Sequence, residues 1–198
     1  PAGAGEIVLP LRGRHNVMNA LAASALALAL GVPLATIKAG LEAAPMVDGR
    51  LARHAHASGA IVIDDSYNAN PGSTAAAIAT LAADASSTKS GESWLVLGDM
   101  RELGADASKL HADIGDLARE QGIARLYAVG DLSKHAARAF GANARHFADQ
   151  SALIAALAVD AHAGVTVLVK GSRGSAMDRV VRALLGEANG NGGARHAA

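Results

Sequence analysis

Adjacent carboxylates, an aromatic ring and two amides crowd one short stretch of this chain, IVIDDSYNANPGS at residues 61–73. The β-branched run before Asp64 and Asp65 reads as a strand, so at least one carboxylate sits at a strand tip. There a carboxylate can accept two hydrogen bonds from a ribose diol, or help to hold a metal. Tyr67 adds an aromatic face, and Asn68 and Asn70 add amide donors and acceptors in a loop stiffened by Pro71. These residue types are also the commonest builders of turns, so a purely structural reading stands beside the chemical one.

Three further segments carry polar groups worth weighing. GRHNVMN, residues 13–19, sets His15, Asn16 and Asn19 around a helix start. Asn16 and Asn19 are three apart and share a face near the helix's positive end, where an amide can read adenine and a phosphate is favoured. Capping of the helix by Asn16 explains the same residues without a ligand. KGSRGSAMDR, residues 170–179, follows a strand with a glycine-flanked turn, and Lys170 and Arg173 could hold a carboxylate or phosphate there. It lacks the glycine spacing and the GK[ST] ending of a phosphate loop. In VLGDMRELG, residues 96–104, Asp99 faces a cleft or caps the next turn. His54 and His56 lie two apart on an expected strand; a solvated strand face is the simpler reading than a metal pair, and no metal site is assigned.

The elements that must position these groups follow from periodicity and breakers. A strand is expected at 7–11, a helix from about 14 to 30 ended by Gly31, and a second helix at 34–43 after Pro33. From Gly49 the pattern alternates. A hairpin is expected from 51–57 and 60–64 around Ser58-Gly59, then helix 73–83, strand 93–97 and helix 107–121 with Leu110, Ile114, Leu117 and Ala118 on its apolar face. Strand 125–129, helix 133–140, a short strand near 145–147, helix 151–161, strand 165–169 and helix 175–185 complete the series. Strands separated by helices of this length imply crossovers and a mostly parallel sheet covered on both faces. The expected fold is therefore α/β: a Rossmann-like open sheet over residues 49–187, preceded by a small helical remnant of another domain at 1–48 and followed by a disordered tail at 188–198. Ligands of such sheets bind beyond the carboxyl ends of the strands, which is where the segments above fall.

Composition narrows the partners. With 18 basic and 18 acidic residues in 198, the formal net charge is zero, which offers no attractive field to nucleic acid or to an anionic membrane surface. There is no cysteine, so no disulfide framework and no thiolate metal site, as fits a cytoplasmic protein. The apolar run at 20–32 is about 13 residues, short of the ~20 that span a bilayer, and reads as a packed helix. The glycine- and alanine-rich start reads as a linker or a cut end.

Taken in order, GRHNVMNALAA, DGRL, DDSYNANP, VLGDMRELG and VKGSRG resemble the Mur ligase superfamily, from about Leu9 to Leu185. Within it the loops look most like the branch that joins D-alanyl-D-alanine to UDP-N-acetylmuramoyl-tripeptide. The resemblance implies a three-domain enzyme using ATP and Mg2+, of which this chain holds the end of the central ATPase domain and the whole third domain. It implies that ATP phosphorylates the carboxylate of the UDP-muramoyl-peptide and that the incoming amine attacks the acyl phosphate. By the same resemblance His15, Asn16 and Asn19 lie on the adenine side, Arg50 of DGRL reaches the phosphates, and Asp65 holds the ribose with Tyr67, Asn68 and Asn70 in the same loop. Asp99, Lys170, Ser172 and Arg173 are expected near the dipeptide. The phosphate loop, the metal ligands and a carbamylated lysine have no counterpart here and are expected upstream of Pro1, which leaves the chain inactive alone. A cytoplasmic monomer is expected, without nucleic-acid or membrane partners. The competing readings are a non-catalytic nucleotide-binding or interaction module, and another Mur or folylpolyglutamate-type ligase.

Overall fold

The computed structural model describes residues 3–11, 13–45, 47–87 and 91–187, with the side chains of His15 and of residues 85–87 outside the description. The tail expected at 188–198 also lies outside the described residues. Two helices come first, α1 (Arg14–Ala29) and α2 (Leu34–Glu42). The strand expected at 7–11 does not form. An extended segment becomes a strand only when a neighbour completes its ladder, and here the neighbour is a helix. The Val8 amide donates to Glu42 Oε1 at 3.0 Å, and the Lys38 ammonium donates to the Glu6 carbonyl, so this stretch is lashed along α2 as extended chain.

Beyond residue 50 the chain builds one six-stranded sheet. Its strands are β1 (Ala52–Ala55), β2 (Ile61–Asp65), β3 (Glu92–Gly98), β4 (Arg125–Val129), β5 (Ala144–Phe147) and β6 (Val165–Lys170), in the order β1-β2-β6-β3-β4-β5. Only β1 runs antiparallel, paired to β2 through the expected hairpin. Its loop is longer than the two residues anticipated: the His56 amide donates to the Ala60 carbonyl, and Ser58 bonds the His56 ring, which serves the turn rather than a metal. The helices are α3 (Pro71–Ser87), α4 (Ala107–Glu120), α5 (Ser133–Phe140), α6 (Gln150–Asp160) and α7 (Asp178–Leu184).

Alternation along the strands divides the core into two layers. Ile63, Leu95, Leu97, Leu126 and Leu168 pack with Ile78, Ile114 and Phe140 from α3, α4 and α5. Val62, Trp94, Val96, Tyr127 and Val167 pack on the opposite face with Leu153, Leu157 and Val180 from α6 and α7. Each fully buried large side chain of this kind contributes roughly 1.5–3 kcal/mol. Three successive crossovers lie on one face; the fourth, through α6, returns on the other and inserts β6 between β2 and β3. That reversal brings the carboxyl ends of β2, β6 and β3 side by side, the place where an open α/β sheet leaves a crevice.

Candidate functional site

At the end of β2 the two adjacent acids part company. Asp64 is buried and its Oδ1 accepts the Ser66 amide at 3.0 Å, turning the chain out of the strand. Asp65, one step on, points to the other face of the sheet. It is the register partner of Lys170 on the last rung of the parallel β2–β6 ladder. Lys170 Nζ donates to Asp65 Oδ2 at 2.5 Å and to the Asn68 carbonyl at 3.0 Å, with the lysine side chain 2% and the aspartate side chain 13% exposed.

The loop that follows is a helix start as well as a surface. Asn70 Oδ1 accepts the Ser73 amide at 2.8 Å while Ser73 Oγ accepts the Asn70 amide at 3.1 Å, a reciprocal cap with Pro71 opening α3. The turn reading of this segment is therefore correct for Asn70, and compatible with its facing a ligand. Asn68 Oδ1 accepts the Ala69 amide at 2.8 Å. The Tyr67 amide donates to the Gly49 carbonyl at 3.1 Å, which ties the loop to the segment between α2 and β1. Gly49 has φ +73°, and a Cβ there would stand 3.0 Å from Tyr67 N, so that close approach requires glycine.

Arg50 and Tyr67 meet across this tie. The Arg50 guanidinium carbon is 4.8 Å from the Tyr67 ring centroid, and that of Arg173, from the loop after β6, is 5.5 Å from it. On α1, Asn19 Nδ2 donates to Asn16 Oδ1 at 3.4 Å, so the two amides do share a face. Asn16 is not the cap: the helix begins after Gly13, which makes no side-chain cap bond. His15 lies in the same first turn, with its side chain outside the description.

These groups line one cleft of about 430 Å3. Asn16, Asn19, Arg50, Asp65, Tyr67, Asn68, Asn70 and Lys170 all border it, joined by Gly49, Leu51, Gly72, Ser73 and Ala76, which the sequence reading had not singled out. The i, i+3 spacing of Asn70 and Ser73 around a proline was the available signal for Ser73. Asp99, Ser172 and Arg173 do not line the cleft, although the Arg173 guanidinium lies near the Tyr67 ring. Asp99 Oδ1 accepts the Leu132 and Ser133 amides at 3.0 and 2.8 Å, holding the start of α5, while its carbonyl accepts Ser172 Oγ at 2.7 Å and Ser175 Oγ at 2.8 Å. Both residues bind loops together, leaving Arg173 as the exposed cation of that turn.

One buried polar group escaped the sequence reading. His111 on α4 is fully buried, donates from Nδ1 to the Ala107 carbonyl at 2.7 Å and accepts the Met100 amide on Nε2 at 2.9 Å. Those partners require the neutral ring, and burial pushes its pKa below the ordinary 6.5. Among the described residues there is no group of three or more His, Cys, Asp or Glu side chains that could hold a metal ion.

An open, mostly parallel sheet with a polar cleft beyond its strand tips defines the class, and comparison with known proteins supplies the family. Residues 49–173 match the family described as Mur ligase, glutamate ligase domain, and the chain belongs to that family. The UDP-N-acetylmuramoyl-tripeptide–D-alanyl-D-alanine ligase of Escherichia coli (strain K12) is 45% identical over 186 residues, covering 93% of this chain and 40% of that protein. The ligase of the same name from Mycobacterium tuberculosis (strain H37Rv) is 37% identical over 205 residues, covering 92% and 40%. A crystal structure of MurF from Acinetobacter baumannii superposes with a TM-score of 0.82 at 35% identity, covering 94% of this chain and 40% of that one. The chain thus spans about 40% of the length of these curated relatives.

Proposed function

We propose that this chain is the carboxy-terminal part of an ATP-dependent ligase that joins D-alanyl-D-alanine to UDP-N-acetylmuramoyl-tripeptide, and that it contributes the nucleoside side of the ATP site. The observation that carries the proposal is the convergence of Asn16, Asn19, Arg50, Asp65, Tyr67, Asn68 and Asn70, drawn from three separate segments, on a single cleft at the strand tips. The names of the relatives supply the reaction class.

In this reading ATP is a substrate whose adenine meets the amides of α1 and whose ribose diol meets the Asp65 carboxylate. Arg50, steadied against the Tyr67 ring, extends toward the phosphates. The γ-phosphoryl group passes to the carboxylate of the UDP-linked peptide, giving an acyl phosphate and ADP. The free amine of D-alanyl-D-alanine attacks the acyl carbon, and the tetrahedral adduct collapses to amide and phosphate. Arg173 is the cation left to meet the dipeptide carboxylate, while Asp99 and Ser172 hold the loops beneath it.

The same proposal assigns residues 1–48 to the end of the preceding ATPase domain and 49–187 to the third domain. Support comes from α1, whose Val17, Met18, Leu21, Leu26 and Leu28 are exposed. A helix apolar on many sides belongs inside a larger body. We place the enzyme in the cytoplasm as a monomer, without nucleic-acid or membrane partners; no helix of the described residues is long and apolar enough to cross a membrane.

The test is Asp65→Ala in the whole ligase. A charge-assisted bond pair to the ribose is present in both ground and transition states, so its loss raises KM for ATP and spares kcat. The expected rise is roughly 10- to 150-fold, the equivalent of about 1.5–3 kcal/mol. An unchanged KM for ATP removes Asp65 from the site.

A further inference from the structure

A lysine that meets a substrate carboxylate keeps its ammonium where the substrate can reach it. Lys170 borders the cleft, but its ammonium is already committed to the protein itself. Its side chain is 2% exposed, and Nζ is turned onto two groups of the β2 loop, Asp65 Oδ2 at 2.5 Å and the Asn68 carbonyl at 3.0 Å. Both bonds end on residues that border the cleft, one on the carboxylate and one on the backbone of the loop. The partners are separated by 105 positions in sequence and meet only because β6 is inserted beside β2.

We propose that Lys170 is a positioning residue for the nucleoside, acting through Asp65, and not a contact of the amine substrate. This rests on the ribose role proposed above for Asp65. A carboxylate at a strand tip can swing about two side-chain torsions. One oxygen pinned by a buried ammonium fixes the plane of the carboxylate and hence the direction in which it meets a diol. The second bond, to the Asn68 carbonyl, anchors the loop that carries Tyr67 and Asn70 to the same point. The lysine therefore sets both walls of the ribose pocket from beneath. Arginine cannot replace it without loss, because the planar fork does not fit a space closed around one ammonium.

The experiment compares Asp65→Asn, Lys170→Met and the double variant in the whole ligase, each assayed with ATP, 2′-deoxy-ATP and 3′-deoxy-ATP, with KM and kcat read separately for nucleotide and dipeptide. Wild type is expected to favour ATP over a deoxy analogue by about ten-fold or more in KM. Lys170→Met is expected to lose most of that preference with the dipeptide KM unchanged. The double variant is expected to match Asp65→Asn in its preference between ATP and the deoxy analogues, since Lys170 reaches the ribose through Asp65, while the lost bond to the Asn68 carbonyl raises KM equally for ATP and both analogues. If Lys170→Met fails to fold because it strands a carboxylate, the double variant, which removes that charge, still decides. Discrimination or dipeptide KM in the double clearly worse than in Asp65→Asn means that Lys170 acts on its own, and overturns the inference. A dipeptide KM raised by Lys170→Met with nucleotide preference intact overturns it too. If Asp65→Asn itself keeps the full preference for ATP, the ribose reading fails first, and Lys170 falls with it.

Discussion

Single side chains in this chain divide between those that face the cleft and those that hold the groups that do, and neighbours in sequence fall on opposite sides of that line. Asp64 turns the backbone, whereas Asp65 borders the cleft. His111 belongs with the holding groups, since it fixes the Met100 amide just beyond β3. Its pKa is held below that of the unfolded chain, so the unfolded state takes up a proton first as pH falls. The stability contributed by the neutral ring is then fully present above about pH 6.5 and is lost as pH drops through that value toward the folded pKa. His111→Gln, which keeps an acceptor but cannot titrate, should flatten this part of the profile, as judged from urea midpoints between about pH 8 and pH 5.5. A variant as acid-sensitive as wild type across that window would show that the imidazole is not the source.

At the scale of elements, α4 illustrates how a stripe read from hydropathy can be rotated by packing. The expected face was Leu110, Ile114, Leu117 and Ala118; the buried face is His111, Ile114, Gly115 and Ala118, with Leu117 only partly covered. Gly115 is the reason. A Cβ built there would lie 2.1 Å from the Ala136 carbonyl oxygen of α5, so α4 and α5 touch backbone to backbone. In an exposed helix glycine to alanine gains about 1 kcal/mol of helix propensity. Here Gly115→Ala should instead destabilise by about 1–3 kcal/mol, because the obstacle is backbone and cannot rotate away. Chemical denaturation of the variant gives the sign directly, and a stabilised protein would mean that the helices are free to separate.

For the whole molecule the question is how much of a nucleotide this chain can hold by itself. Affinity for nucleoside triphosphates comes largely from backbone amides, a lysine and a metal around the β- and γ-phosphates. On the reading proposed above, the cleft offers amides to a base, Asp65 to the ribose and Arg50 to the phosphates, and the buried lysine on its border is committed to Asp65. Ordering such groups without a phosphate cradle falls on the ligand. Titration calorimetry of the 198-residue chain with ATP and Mg2+ is therefore expected to give a Kd in the millimolar range or no heat at all. Micromolar binding, or phosphate release above background, would mean that the division of labour proposed here is wrong.

Much was legible from residues alone, because local periodicity and breakers suffice for it. The order of strands and helices, the parallel sheet, the hairpin and the loops at the strand tips all follow from patterns a few residues long, and strand 125–129 and helix 133–140 were placed to the residue. The segment at 7–11 was misread for the complementary reason: an apolar β-branched run has strand propensity, but pairing depends on an edge that only the fold can supply. Strand order was likewise beyond local pattern. No spacing reveals that β6 slips between β2 and β3, and so none reveals that Lys170 lies against Asp65 or that a histidine and a glycine occupy the buried face of α4. The Lys170–Asp65 contact joins residues far apart in the chain, and the buried face of α4 is set by its neighbours; close packing in three dimensions decided both.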